Sequence, residues 1–392
     1  MEKLLAVIMA GGRGERLSIL AEERAKPAVP FAGKYRIIDF VLSNCVNSGV
    51  YNVLVLTQYQ PISITEHIGE GRPWGLVPPD RKIRLLQPFL APEKGRDWYK
   101  GTADAVRQNL NSIDSEDVDY VLILSGDHVY KMDYTPMLEA HKAKRADVTL
   151  AVTQIPEEEL YRFGTVVVNK NGRVVKFQEK IKKPQGNLAS MGVYIFKKEL
   201  LRSWLETSEE EDFGRHIFPN KVDKAKIYTY IFDGYWRDIG TVASYWQANM
   251  DMISMPLSFL YDAKWPIHTK EFEKPPSRIS ETANVVDCLL SSGCLIEGHV
   301  EHSVLSPGVH IARGAVVRDS VIMNDTVIGR DSVVDRAILD EGVTAGEGCH
   351  IGYGSDYQTS RQRPRISSSG LTLISKHTKI PAGVTIGRNL IV

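Results

Sequence analysis

Apolar runs and helical spacings alternate along the first 250 or so positions of the chain. Leu4–Met9, Val50–Leu56, Val118–Leu124 and Val148–Val152 read as strands. Between them Ala103, Val106, Leu110 and Ile113 recur at helical spacing, with Thr102 placed to cap that helix. Strands alternating with helices predict a mostly parallel sheet covered on both faces. From Met255 to Arg278 the pattern breaks, and Pro256, Pro266, Pro275 and Pro276 crowd the stretch. We therefore expect a domain over 1–250, a linker over 251–278 and a second domain over 279–392.

The second domain has a different period. Val309, Ala315, Val321, Val327, Val333 and Leu339 fall at every sixth residue, and Ile374, Ile380 and Ile386 resume the step. Val316, Ile322, Ile328 and Val334 directly follow four of them. A six-residue step fits neither a helix nor a hairpin meander. It predicts a β-helix in which three hexapeptides make a triangular coil and the repeated aliphatic points inward. Gly298, Gly308, Gly314, Gly329, Gly342, Gly346 and Gly348 suit its tight corners.

Composition narrows the function. The chain has 392 residues, with 48 Lys and Arg against 48 Asp and Glu. A formal charge of zero argues against nucleic-acid binding, which rests on clustered cations meeting phosphates. Cys45, Cys288, Cys294 and Cys349 form no C-x-x-C pair, so neither a disulfide scaffold nor a zinc ribbon is indicated. The apolar run at Leu4–Ala10 is too short to span a bilayer. These features predict a soluble, cytoplasmic protein with no membrane partner.

The candidate chemistry starts at Ala10-Gly11-Gly12-Arg13-Gly14-Glu15-Arg16-Leu17, directly after the first strand. Glycines at the carboxyl end of a strand let backbone N–H groups approach a phosphate, and a neighbouring Arg neutralises it. The run is not a Walker A loop and does not match G-x-G-x-x-G in register; alone it is equally a plain turn. Arg24-Ala25-Lys26-Pro27 and Lys34-Tyr35-Arg36-Ile37-Ile38-Asp39-Phe40 follow, with Trp98-Tyr99-Lys100-Gly101-Thr102-Ala103-Asp104 further on. Ser125-Gly126-Asp127-His128, Phe163-Gly164, Glu179-Lys180, Ser190-Met191-Gly192-Val193-Tyr194 and Tyr235-Trp236-Arg237-Asp238 complete the series. Together they resemble the glucose-1-phosphate adenylyltransferases over nearly the whole chain, hexapeptide tail included.

That resemblance implies a Rossmann-like, mostly parallel α/β nucleotidyltransferase domain followed by a left-handed parallel β-helix of hexapeptide repeats, serving regulation and oligomerisation. It implies ATP and glucose 1-phosphate as substrates, Mg²⁺ as cofactor, a homotetramer and an anionic allosteric effector. Arg16, Lys26 and Asp127 are then catalytic. Gly11, Gly12, Gln58, Trp98, Gly101 and Thr102 lie on the nucleotide side, although Trp98 could equally be core. Tyr99, Gly164, Glu179, Lys180, Ser190 and Tyr194 bind the sugar phosphate. By itself Asp238 reads as a helix cap or a partner of Arg237; the resemblance makes it, with Asp127, a metal ligand.

The residue types suit that chemistry. Two phosphates brought about 4 Å apart repel by roughly 4 kcal/mol per pair of unit charges at an effective dielectric near 20. A catalyst needs cations and a metal around them and little covalent chemistry. Asp127 follows a strand end, where open α/β sheets bind ligands, and Mg²⁺ takes one or two carboxylates with phosphate oxygens and water. The nucleophile is already an anion, so His128 is left a structural role.

Two departures from the family pattern stand out. Enterobacterial relatives carry Lys where this chain has Glu23, which puts activation by fructose 1,6-bisphosphate in doubt. Glu179-Lys180 is usually followed at once by Pro, but here Ile181, Lys182 and Lys183 precede Pro184. Arg361, Arg363, Arg365, Lys376, His377 and Lys379 form a basic cluster, read either as solvated charge or as an effector site. The rival functions are another sugar nucleotidyltransferase and a non-catalytic regulatory subunit of the same superfamily.

Overall fold

A computed structural model describes residues 3–88, 98–354 and 369–392. By contact density the chain divides into two compact units, one of Met1–Gly12 with Phe40–Trp236, the other of Arg13–Asp39 with Arg237–Val392.

The first unit is built on a mixed nine-stranded sheet whose centre is parallel. Strand Leu4–Ala10 lies between Asn52–Thr57 and Tyr120–Ser125, with Ile8 opposite Val55 and Leu124. Lys82–Leu86 continues the parallel half. Strand Leu188–Lys197 runs antiparallel to both Tyr120–Ser125 and Val148–Gln154. The predicted strands are thus present within a residue or two of their expected ends. Along them Leu5, Val7, Leu54, Leu56, Val121 and Ile123 enter one core cluster. Their alternates Ala6, Ile8, Val53, Val55, Leu122 and Leu124 are equally buried, so both faces are covered.

The helix expected near residue 102 is present but divided: Thr102–Gln108 and Leu110–Asp114 meet at Asn109, whose φ of −108° and ψ of 14° break the spiral. Ala103, Val106, Leu110 and Ile113 are buried as their spacing predicts. Thr102 is not the cap. Gly101 holds that position, and the Thr102 hydroxyl instead donates to Asp212 Oδ2 at 3.1 Å and accepts from Phe213 N at 3.1 Å.

In the second unit the chain is irregular from Met255 to Ser277 and then winds into a left-handed parallel β-helix of three stacked sheets. Ile279 stacks on Ile296, Ile311, Ile328 and Ala345, so a coil takes 17 residues, or 15 between Ile296 and Ile311. Three full hexapeptides would take 18, and the shortfall corrects the expected inward set. Val309, Ala315 and Leu339 are core, but at the next positions the core residues are Ile322, Ile328 and Val334. Adjacent residues of a strand face opposite sides, so only one of each pair can enter. Each Val, Ile or Leu among them contributes about 1.5–3 kcal/mol through burial.

The corners need left-handed backbone. One corner passes through Gly308, Asp325, Gly342 and His377, and another through Asp287, His302, Asp319 and Arg336, with no glycine at all. Gly298, Gly329 and Gly346 are not left-handed; a Cβ on each would strike backbone of the neighbouring coil.

Two stability predictions follow from this packing. Gly352 and Gly383 both have φ above 70°, but a Cβ at 352 would stand 1.9 Å from the Asp335 carbonyl oxygen, whereas one at 383 meets nothing within 4 Å. Gly383→Ala is expected to cost about 1–2 kcal/mol, the left-handed penalty alone, and Gly352→Ala clearly more in denaturant titrations. Equal losses would refute the packing argument. His141 is buried, with Nδ1 2.9 Å from Thr149 Oγ1 and Nε2 without a partner. Burial, with Lys197 and Lys142 adding to it, pushes its pKa down from 6.5 to about 4. The unfolded chain therefore binds the proton first, and stability falls by about 3 kcal/mol as pH drops from 6.5 to 4. His141→Asn should flatten that acid limb in urea midpoints measured against pH.

Candidate active site

In the first unit the sheet delivers functional residues at the carboxyl ends of its parallel strands. Gly11 and Gly12 follow Ala10. A Cβ on Gly11 would be 3.2 Å from Gln58 Cβ, and Gly12 has open space around it. Gln58 follows strand Asn52–Thr57 and is buried, its amide bonded twice to the backbone of Tyr99. Tyr99 N donates to Oε1 at 2.7 Å, and Nε2 donates to the Tyr99 carbonyl at 3.3 Å. Gln58 therefore positions the Trp98–Thr102 segment. Trp98 is 53% exposed and stacks on Tyr59 at 5.2 Å, so it is not core. Gly101 is needed for a close approach: its Cβ would lie 2.4 Å from the Glu211 carbonyl oxygen.

Asp127 follows strand Tyr120–Ser125, and its Oδ1 accepts from Ser125 Oγ at 2.5 Å. His128 Nε2 is 3.4 Å from the same oxygen, while Nδ1 donates to the Met191 carbonyl at 3.0 Å. The imidazole also packs edge-on against Trp236 at 5.1 Å. Held on these sides, it fits a structural role.

Of the residues expected on the sugar side, Gly164 and Lys180 lie against Glu179, whereas Tyr99 is bonded to Gln58 and Asn109. A Cβ on Gly164 would be 2.6 Å from Glu179 Oε2, and one on Gly214 2.5 Å, so these glycines make room for the carboxylate. Lys180 adopts a left-handed φ of 51°, and its Nζ lies 3.4 Å from Glu179 Oε1. Burial raises the Glu179 pKa, and Asp212 adds to the rise against the opposing pull of Lys180. Ser190 Oγ donates to Tyr194 OH at 3.4 Å, and the Tyr194 ring packs against Phe196, Phe213 and Phe218.

Sequence reasoning missed Asp212 and Asp104. Asp212 takes the Thr102 hydroxyl and caps the turn beyond it through Gly214 N and Arg215 N, both at 2.9 Å. Its signal was hidden in the acidic run Glu209-Glu210-Glu211. Asp104, 2% exposed, accepts from Lys100 N, Arg107 and Gln108 and so fixes the turn into the Thr102 helix. Trp236 Nε1 is buried with no protein partner.

In the second unit Arg16 is exposed on a 3-10 stretch, Glu15–Ala21. Lys26 is buried and its Nζ lies 3.2 Å from Asp238 Oδ1. Arg237 pairs with Asp251 at 3.4 Å, so the suggested Arg237–Asp238 pair is not formed. Of the basic cluster, Arg361, Arg363 and Arg365 lie outside the described residues, and Lys376 is bound to Glu341 at 3.0 Å.

The comparisons with known proteins identify the family. Residues 5–254 match the nucleotidyl transferase family, and 275–374 match the GlmU-like C-terminal hexapeptide family. The chain is 51% identical to the glucose-1-phosphate adenylyltransferase of Thermomicrobium roseum, over all of this chain and 93% of that one. It is 45% identical to that of Thermotoga neapolitana and 43% to that of Acetivibrio thermocellus, covering 94% and 93% of their lengths. The class is nucleotidyltransferase. Within it, the chain belongs to the glucose-1-phosphate adenylyltransferase family. No helix among the described residues is long and apolar enough to cross a membrane.

Glu179 yields a prediction independent of substrate. Its raised pKa means that folding disfavours the charged form, so wild-type stability declines as pH rises through the carboxylate range. Glu179→Gln is therefore expected to raise the urea midpoint at pH 7 and to remove that decline. A lowered midpoint would show that Lys180 outweighs burial.

Proposed function

We propose that the protein joins ATP and α-D-glucose 1-phosphate into ADP-glucose, releasing pyrophosphate, and supplies the glucosyl donor for glycogen-type polymer synthesis in the cytoplasm. The observation that carries this is full-length identity of 43–51% to three adenylyltransferases, in a chain that has Arg16, Lys26, Asp127, Lys180 and Asp238. A non-catalytic relative has no use for that set of charges.

In this reading a phosphate oxygen of glucose 1-phosphate attacks the α-phosphorus of ATP in line. The bond from that phosphorus to the oxygen bridging to the β-phosphate breaks, and pyrophosphate leaves. The Gly11 and Gly12 amides receive the nucleotide phosphates, and Arg16 and Lys26 supply positive charge to the triphosphate. Gln58 holds Trp98 and Tyr99 at the nucleotide, and Gly101 and Thr102 shape the same edge. Lys180 neutralises the sugar phosphate, Glu179 accepts sugar hydroxyls, and Ser190, Tyr194 and Gly164 complete the cradle. Asp127 and Asp238 are hard oxygen donors suited to Mg²⁺, which when bound offsets the charge developing on the phosphates. Residues 1–250 form the catalytic region, 251–278 the linker and 279–392 a regulatory and oligomerisation region. A homotetramer with an anionic effector site completes the proposal.

The test is pyrophosphate release across a panel of nucleoside triphosphates and sugar phosphates. ATP with glucose 1-phosphate is expected to be preferred; a clear preference for UTP or dTTP would end the assignment. Asp127→Asn is expected to lower kcat about 100-fold or more without a change in thermal midpoint.

A further inference from the structure

Lys26 belongs to a short turn, Lys26–Ala28, with extended backbone on either side at Ala25 and Val29. The turn is short, and the Lys26 side chain within it is buried against Asp238. An arginine stands on either side of the turn: Arg24 reaches both Asp340 and Glu341 on the β-helix, and Arg36 reaches Glu341.

On the upstream side the Arg24 guanidinium donates twice to Asp340 Oδ1, at 2.9 Å from each Nη, and once to Glu341 Oε2 at 3.2 Å. The side chains of Arg24 and Asp340 are 5% and 1% exposed. Downstream, Arg36 donates to the Ala28 carbonyl that closes the turn, and its Nη2 lies 3.7 Å from Glu341 Oε1. The carboxylates are themselves fixed. Asp340 Oδ1 accepts from Glu341 N at 2.7 Å, the Asp340 backbone is bonded to Ile374 and Thr326, and Lys376 completes Glu341 at 3.0 Å. Buried ion pairs add little net stability over an apolar packing of the same volume, and specificity of arrangement is their best-attested use. Neither carboxylate has a part in the reaction as described above.

We infer that Asp340 and Glu341 are positioning residues for the transfer reaction: through Arg24 and Arg36 they clamp both ends of the Lys26 turn and so place the Lys26 ammonium for the triphosphate. The inference rests on the phosphate-binding role given to Lys26. Misplacing a catalytic group by about 1 Å can cost on the order of 100-fold in rate, so a partial loosening should be visible in turnover.

The experiment is a double-mutant cycle on the full-length enzyme, with pyrophosphate release as the readout. Asp340→Asn keeps the shape and one acceptor oxygen but removes the charge. It is expected to lower kcat/KM for ATP about tenfold, with KM for glucose 1-phosphate changed less than twofold. In a Lys26→Gln background the same replacement should cost less than twofold, because the group it positions is gone. Should Asp340→Asn fail to fold, Glu341→Gln takes its place in the cycle with the same expectation. A folded variant with kcat/KM for ATP within twofold of the parent overturns the inference, as does an equal loss in both backgrounds. Full activity in Lys26→Gln alone would instead remove the role of Lys26, and this inference with it. An impaired Lys26→Gln with additive losses would overturn only the clamp.

Discussion

A buried cation costs several kcal/mol unless a carboxylate stands beside it, and the disposition of charge in this protein follows from that cost. Three cations named above accordingly stand beside carboxylates. Lys26 is held against Asp238, Arg24 against Asp340 and Glu341, and Lys180 against Glu179. Each pairing is local, which is why a protein built for anionic substrates can carry 48 cationic and 48 anionic side chains in all. The overall charge argues against polyanions as partners, yet it is silent about a cluster whose counterions come from the same chain.

The fold was legible wherever one periodicity governs a segment. Strands such as Leu4–Ala10 are apolar because both faces are covered, and nothing competes with that signal. The β-helix was legible as a class but not in detail. A strict six-residue step assumes 18 residues per coil; with 17, the inward position slides from the first aliphatic of a pair to the second, as at Val327 and Ile328. The corners show why glycine counts mislead here. Asp, His and Arg occupy left-handed corners at Asp325, His302 and Arg336, while Gly329 is required by the backbone of the next coil.

The place of a candidate residue in the fold was legible where it stands at a strand end, as Gly11, Gln58 and Asp127 do. It was illegible where a residue acts through another. Asp212 reaches Thr102 across 110 positions of sequence, and no spacing rule connects them. The Thr102 hydroxyl looked like a cap because its place in the sequence is that of a cap; Gly101 took that place because a side chain there would collide with Glu211. Propensity lost to a close backbone approach, a property of the folded state alone.

The same limitation applies to the boundary between the sequence families and the compact units. The nucleotidyl transferase match covers residues 5–254 without a break, and by that measure Arg13–Asp39 is part of the catalytic region. Measured by contacts, Arg13–Asp39 and Arg237–Ser254 belong with the β-helix. The reason is visible in single interactions: Arg24 ends on Asp340, the Tyr245 hydroxyl donates to the Pro30 carbonyl at 2.6 Å, and the Trp246 indole donates to the Asp319 carbonyl at 2.7 Å. Asp340 on the coil and the Lys26 turn are thus joined through Arg24, which lies two residues before Lys26. Contact by itself does not demonstrate coupling, which is why the double-mutant cycle and not the 2.9 Å Arg24–Asp340 distance decides the matter.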